Sequence, residues 1–307
     1  MRNQLKARAE IIANIRHFFD KKQVLEVSTP LLSRATVTDP HLHSIAAQLP
    51  LLRKTMYLQT SPEFAMKQLL VAGSGDIYQV CKAFRDGEKG HLHHPEFTIL
   101  EWYRVGFNHH DLMDEMDELL QVILKCDAAL RYTYADAFQK YLNFNPHIIS
   151  VADLQRRLAQ EKLPDISGMN YNDRDFLLQL LMTYCIEPKF DRHRPTFIYD
   201  YPASQAMLSK IRNDHPPVGE RFEVYMGDVE LANGFHELTD AVEQRKRFEQ
   251  DKIQRKAWGH PDVVMDENFL AALEKGLPNC AGVALGIDRL VMLALKKKEI
   301  RNVMCLS

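Results

Sequence analysis

The stretch Arg221-Phe222-Glu223-Val224-Tyr225-Met226-Gly227-Asp228-Val229-Glu230-Leu231-Ala232-Asn233-Gly234-Phe235-His236-Glu237 decides how this chain is read. It holds two strand-like runs, 222–226 and 229–233. Glu223, Glu230 and Glu237 recur seven residues apart, with Gly227 and Gly234 in the intervals. In a strand over 229–233, Glu230 shares a face with its alternate neighbours Ala232 and Gly234. Carboxylates brought near one another serve a hard cation such as Mg²⁺ or an ammonium group. Strand glutamates turned to solvent are the plainer alternative.

Working outward, a strand-like run at 196–199 precedes this stretch, and a charged helix over about 239–256 follows it. A strand over 282–285 then meets a helix beginning near Gly286. At the other end, Leu5, Ala9, Ile12, Ile15 and Phe19 recur at helical spacing, before the β-prone Val24-Leu25-Glu26-Val27 and the closing Thr29-Pro30. Strand-like runs follow at 56–60, 76–84 and 97–103. Between the two groups, Leu112, Met116, Leu119, Leu120 and Ile123 share a helical face, and Asp114, Glu115, Asp117 and Glu118 point away from it. Further helical patterns at 151–160 and 173–184 make about 108–190 a mostly helical section. Two clusters of strands around a helical insertion predict an α+β fold with a mainly antiparallel sheet flanked by helices. No Pro/Gly/Ser linker divides residues 1–307, so a single domain is expected.

Composition narrows the function. At 46% apolar and 26% charged residues the chain has the material for a large core. No run approaches the ~20 apolar residues of a membrane span, and the charged first twenty residues lack the features of a signal peptide. A cytoplasmic protein without membrane attachment is expected. Cys81, Cys126, Cys185, Cys280 and Cys305 stand far apart without a Cys-x-x-Cys pair, which predicts reduced thiols rather than disulfides or a zinc knuckle. Thirty-nine Lys+Arg against forty-one Asp+Glu give no support for avid, nonspecific nucleic-acid binding. A local basic patch, with Lys6, Arg8 and Arg16 on the first helix, reads as a solvated face and as a candidate docking surface.

Three further segments concentrate polar groups beside strands: Thr60-Ser61-Pro62-Glu63, Phe84-Arg85 returning through His94-Pro95-Glu96-Phe97 to Glu101-Trp102-Tyr103, and Gly282 through Arg289. Gly282 and Gly286 in an apolar strand mark close approach to the backbone or packing, and a guanidinium at the following helix start suits phosphate. No P-loop, Gly-x-Ser-x-Gly elbow or His-Glu-x-x-His occurs. His91, His93 and His94 form a thin candidate metal cluster, and His109-His110 reads as a surface turn.

Taken in order, these segments resemble the three signatures of class II aminoacyl-tRNA synthetases. The helix and strand ending in Thr29-Pro30 are similar to motif 1, Phe84-Arg85 through Tyr103 to motif 2, and Gly282 through Arg289 to motif 3. Within that class the chain resembles the lysyl-tRNA synthetase catalytic domain through Thr60-Ser61-Pro62-Glu63, through His94-Pro95-Glu96-Phe97-Thr98 and through Gly286-Ile287-Asp288-Arg289-Leu290. Because the first helix begins by Leu5, no anticodon-binding domain is expected ahead of it. The resemblance is then to the truncated paralogues that modify elongation factor P, and Ala284 stands where the synthetase motif has glycine.

The resemblance implies an ATP-dependent enzyme. It activates (R)-β-lysine or lysine as an adenylate and transfers it to a lysine ε-amine of elongation factor P, as a homodimer with tRNA an improbable acceptor. Free-standing tRNA charging and a non-catalytic binding module are the other readings. It further implies that Arg85 bridges the substrate carboxylate and the α-phosphate, that Arg289 holds the γ-phosphate and that Phe97 stacks on adenine. Glu223 and Glu230 would hold Mg²⁺. Glu237 and Tyr103 would hold the side-chain ammonium, with Ser61, Pro62, Glu63, Asn233 and Ala284 around the amino acid. Asp86, Gly87, Glu88, His94, Leu231 and Gly286 complete the implied ATP contacts. Motif 2 usually reads Arg-x-Glu; here Gly87 takes the glutamate's place and Glu88 follows it, His94 replaces an asparagine, and 300–307 departs from the family's apolar close.

Overall fold

The computed structural model describes residues 2–161, 163 and 170–304. Cys305, the last residues of the 300–307 segment, and part of the expected helical section therefore lie outside the described residues. The chain forms two compact units, residues 1–108 with 237–307 and residues 109–236. The first begins with α1 (Arg2–Lys21), β1 (Leu25–Glu26), β2 (Leu32–Ser33), β3 (Ala46–Leu49), β4 (Lys54–Leu58), α2 (Glu63–Val71), β5 (Ile77–Phe84) and β6 (Glu96–Val105). The second holds α3 (His109–Leu124), β7 (Leu130–Thr133), α4 (Tyr134–Leu142), α5 (Val151–Gln160), α6 (Arg174–Leu181), β8 (Thr196–Pro202), β9 (Ile211–Arg212), β10 (Val218–Met226) and β11 (Val229–His236). The first unit is completed by α7 (Ala241–Ala257), α8 (Glu267–Gly276), β12 (Cys280–Gly286) and α9 (Ile287–Ala294). This is an α+β architecture.

In the first unit the main strands run β1-β5-β6-β12, antiparallel except for the parallel pair β1–β5, and β2-β4-β3 form a separate small sheet. Alternation along β6 gives the sheet two different faces. Trp102 lies against α1, where Phe19 meets it at 5.2 Å and stacks on Tyr78 at 4.5 Å. Thr98, on the same face, accepts from Arg8 at 2.8 Å and donates its N–H to Asp288 at 2.6 Å, and Arg8 closes the triangle to Asp288 at 2.6 Å. The buried stripe of α1 is Ile11, Ile15, Phe18 and Phe19, whereas Leu5 and Ala9, expected on that stripe, are exposed. The basic patch is also partly consumed, since Arg8 is bound as described and Arg16 is paired with Glu26.

The other face of β6 carries Phe97, Ile99, Glu101 and Tyr103. Beside it α2 is clamped by an aromatic group in which Phe64 stacks on Phe269 of α8 at 4.4 Å and meets Phe248 of α7 at 5.6 Å. These contacts fix the helix that presents Glu63 and Lys67.

In the second unit the strands run β11-β10-β8-β7, with β9 added on β10. Helices α4, α5 and α6 share a core of Tyr134, Phe138, Leu154, Leu158, Leu177 and Leu181. Inside the expected helical section β7 is a strand, paired parallel to β8. The apolar stripe of α3 is buried as expected, yet Glu115 and Asp117 are buried too, and Asp117 accepts the N–H of Ala129 at 3.0 Å. His109 opens α3 and is 1% exposed, so the pair His109-His110 is no surface turn.

A register shift corrects the facing of Glu230. Tyr225 pairs with Glu230 but Val224 pairs with Ala232, so Leu231 is an extra residue in β11. Cross-strand partners point to one side of a sheet. Glu230 therefore shares the face of Tyr225, Glu223 and Asn233, and Ala232 and Gly234 belong to the opposite face.

Among the described residues no helix is long and apolar enough to cross a membrane, and Cys81, Cys126, Cys185 and Cys280 are free thiols.

Candidate functional site

A pocket of buried ionisable side chains lies on the β6 face opposite α1. Its floor follows from register: Gly282 is opposite Tyr103, Ala284 opposite Glu101, and Gln79 of β5 opposite Glu101 on the other side. Thr60-Ser61-Pro62 leads into α2, where Ser61 Oγ accepts the N–H of Glu63 at 3.0 Å and donates to Glu101 at 2.9 Å. Tyr103 donates its hydroxyl to the other Glu101 oxygen at 2.7 Å. One helical turn after Glu63, the spacing that puts two side chains on one helix face, Lys67 lies 2.6 Å from Glu63 and 2.6 Å from Glu237. Gly282 is required here. A Cβ on it would overlap the Tyr103 ring and stand 2.5 Å from a Glu237 oxygen.

The electrostatics follow from a charge count. Three carboxylates, Glu63, Glu101 and Glu237, share one ammonium, Lys67, which is 1% exposed. Burial pushes Glu101 up to about 7, with the charge of Glu63 adding to it. Burial also raises Glu237 against the pull of Lys67. Lys67 is held charged by the two carboxylates that outweigh its own desolvation. Burial, then the charge of Glu101, raises the neighbouring Cys81 thiol to about 12. The pocket is thus short of positive charge, and its chemistry suits an incoming ammonium.

Along the same face, Arg85 places its guanidinium 5.0 Å from the centre of the Phe97 ring, and it bonds to the Thr60 carbonyl at 3.4 Å and to Glu88 at 3.3 Å. The turn after it needs Gly87, whose φ of 80° lies in the left-handed region. Glu88 thus meets Arg85 from a turn one residue longer than the motif expects, and Asp86 receives the N–H of Gly87 at 2.9 Å. Gly286 ends β12 and caps α9, and three residues later Arg289 bonds to the Leu92 carbonyl at 3.3 Å and lies 2.7 Å from His93 Nε2. Burial and then Arg289 lower the proton affinity of His93. His94 bonds to the backbone of Glu96 at 2.7 Å. Of the His91, His93 and His94 cluster, His93 is therefore engaged by Arg289 and His94 by a turn.

The second unit carries the remaining candidates. Glu223 accepts from Arg221, from the hydroxyl of Tyr201 at 2.6 Å and from that of Tyr225, and Arg221 also bonds to Asn233 at 3.1 Å. The bulge turns Glu230 to this group, with Leu231 buried behind it. Burial, then the charges of Glu223 and Glu230, raise Glu187 to about 8.

Glu101, Lys67 and Glu187 are the residues that sequence reasoning left without a role. Glu101 had a signal, since it alternates with Tyr103. Lys67 had one in its four-residue spacing from Glu63. Glu187 had none.

The model of the tRNA synthetases class II (D, K and N) matches residues 1–307. The elongation factor P–(R)-β-lysine ligase of Vibrio vulnificus is 54% identical over 296 residues, 95% of this chain and 91% of that protein. The enzyme of the same name from Vibrio cholerae is 52% identical over 305 residues, covering 98% and 94%, and that of Pectobacterium carotovorum is 50% identical over 306, covering 98% and 93%. On its motifs, its sheet and these likenesses together, the chain belongs to the class II tRNA synthetases of the D, K and N group.

Proposed function

We propose that this enzyme is a ligase that activates (R)-β-lysine with ATP and transfers it to a lysine ε-amine of elongation factor P. The observation that carries the reading is the buried Glu63–Lys67–Glu101–Tyr103–Glu237 pocket, built for a cationic side chain, in a chain whose relatives bear that ligase name. In the first step a carboxylate oxygen of the amino acid attacks the α-phosphorus and the bond to the β-phosphate breaks, releasing pyrophosphate. In the second, the unprotonated ε-amine of the acceptor attacks the acyl carbon, AMP leaves and the nitrogen loses a proton. Two anionic partners must approach in the first step, so positioning and charge neutralisation dominate. We assign Arg85 to the carboxylate and α-phosphate, Arg289 to the γ-phosphate and Phe97 to adenine. Ser61 and Tyr103 hold Glu101, and Glu101 and Glu237 receive the ammonium.

In the second unit, Glu223 and Glu230 are assigned to the Mg²⁺ that accompanies ATP, which would neutralise phosphate charge. Their donor set fits such an ion: it is all oxygen, it shares one sheet face, and its charge adds to burial in raising Glu187. Glu223 has used three of about four acceptor positions on its carboxylate.

The test is the intact mass of elongation factor P after incubation with the enzyme, ATP, Mg²⁺ and either (R)-β-lysine or lysine. A gain of one lysyl residue, faster with the β isomer, is expected. No gain on a factor whose acceptor lysine is free, together with lysine attachment to tRNA, would replace this reading by tRNA charging. Arg85→Ala and Arg289→Ala each abolish adenylate formation on this reading.

A further inference from the structure

A second cluster of ligating groups stands on the other face of the β10–β11 pair from Glu223 and Glu230. We infer that His109, Glu220 and His236 form a binding site for a first-row divalent transition-metal ion of the zinc class. One ligand atom from each lies within 4.8 Å of the other two. Three elements supply them: His109 opens α3, and Glu220 and His236 come from adjacent strands, with His236 Nδ1 2.5 Å from a Glu220 oxygen. Two imidazoles and a carboxylate form a borderline-soft N/O set, which suits Zn²⁺, Co²⁺ or Ni²⁺ and not Mg²⁺.

The independent observation is at His109. Its ring is 1% exposed, and Nδ1 is buried without a hydrogen-bond partner. Nε2 lies 3.1 Å from Asp200, and a carboxylate only accepts, so Nδ1 is the nitrogen left to give a lone pair. Arg212 grips Asp200 at 2.6 Å and Glu220 at 3.3 Å. This carboxylate–imidazole relay is how proteins orient a ligating histidine and raise its basicity.

Beside these ligands Lys210 Nζ stands 3.1 Å from His236 Nε2 and supplies charge on a flexible stem. Metal entry needs the donor separations to settle near the ~3.4 Å that bonds of about 2.0–2.1 Å impose on a tetrahedral ion, so the His236–Glu220 pair at 2.5 Å must open. His109 and His236 are the first and last residues of the second unit, so the ion would tie the two ends of that unit together.

The test uses the full-length protein, stripped with a chelator and titrated with Zn²⁺ or Co²⁺ alone. About one equivalent should bind, and Co²⁺ should show the visible absorption of a low-coordinate site without a thiolate charge-transfer band. His236→Gln and His109→Gln should abolish it, and Asp200→Asn should weaken it ~10–100-fold. His110→Gln, at the adjacent ring, should leave it intact. Substoichiometric binding by the wild type, a thiolate band, or equal affinity in a folded His236→Gln protein would overturn the site. The Co²⁺ spectrum needs no variant and so stands even if one fails to fold.

Discussion

At the scale of single residues, Lys67 and Glu101 give the pocket its sign. Removing one partner of a buried ion pair leaves an uncompensated charge. Lys67→Met should therefore cost about 3–5 kcal/mol in urea unfolding, more than any surface lysine. Glu101 sets a pH dependence. Burial raises its proton affinity to about 7 from an ordinary 4.5. Its contribution to stability is thus complete below the ordinary value and is lost as pH rises through about 7. A bound ammonium favours the carboxylate instead, so lysine binding near about pH 6 should release protons. Calorimetry in buffers of different ionisation enthalpy reads that release, and Glu101→Gln should diminish it. Gly282→Ala, which drives a methyl into Tyr103 and Glu237, should abolish adenylate formation, with an overpacking cost of about 1–3 kcal/mol. Ala284→Gly enlarges the floor opposite Glu101. It should shift the ratio of rates with β-lysine and lysine by ~10-fold or more, since one methyl is worth about 1–3 kcal/mol in a pocket.

At the scale of elements, the triangle of Arg8, Thr98 and Asp288 joins α1, β6 and α9. Asp288→Ala strands a buried guanidinium and should cost about 3–5 kcal/mol, seen as a lowered urea midpoint. Asp240, which caps α7 by accepting from Val242 and Glu243, should cost only about 1 kcal/mol when replaced by alanine. The contrast between these sites explains what was legible beforehand. Strands β5, β6, β10, β11 and β12 and helices α1, α3, α5 and α7 show in the sequence because each has its own period. The strand β7 does not, since four residues hold too little alternation to declare one. The pocket was half legible. Glu63, Tyr103 and Glu237 follow from motifs, but the meeting of Ala284 with Glu101 is a matter of register between strands some 180 residues apart. The bulge at Leu231 was invisible for the same reason, because an extra residue in one strand is defined only against its partner. His109 was misread because a histidine pair carries no sign of its burial.

At the scale of the whole molecule, the partition into two units predicts how a local lesion spreads. Regions that share a core open together in native-state hydrogen exchange. Lys67→Met should therefore lower protection across 1–108 and 237–307 and leave the core of α4, α5 and α6 protected. Uniform loss across both units would show that they unfold as one.

The order of the chain also sets a timetable. Residues 109–236 are contiguous and can be completed while synthesis continues, because domains fold as units while the chain emerges. The other unit must wait, since Gly282 and Ala284 are made after the Tyr103, Glu237 and Glu101 that they meet. Until then Lys67 has one carboxylate instead of two, and the β6 edge that β12 will cover is bare. The nascent protein thus spends the translation of about 174 residues, from the end of β6 to the start of β12, with an unfinished sheet, a state in which an open edge invites pairing with other chains. For this fold, the window of greatest exposure to aggregation is the interval between Val105 and Cys280.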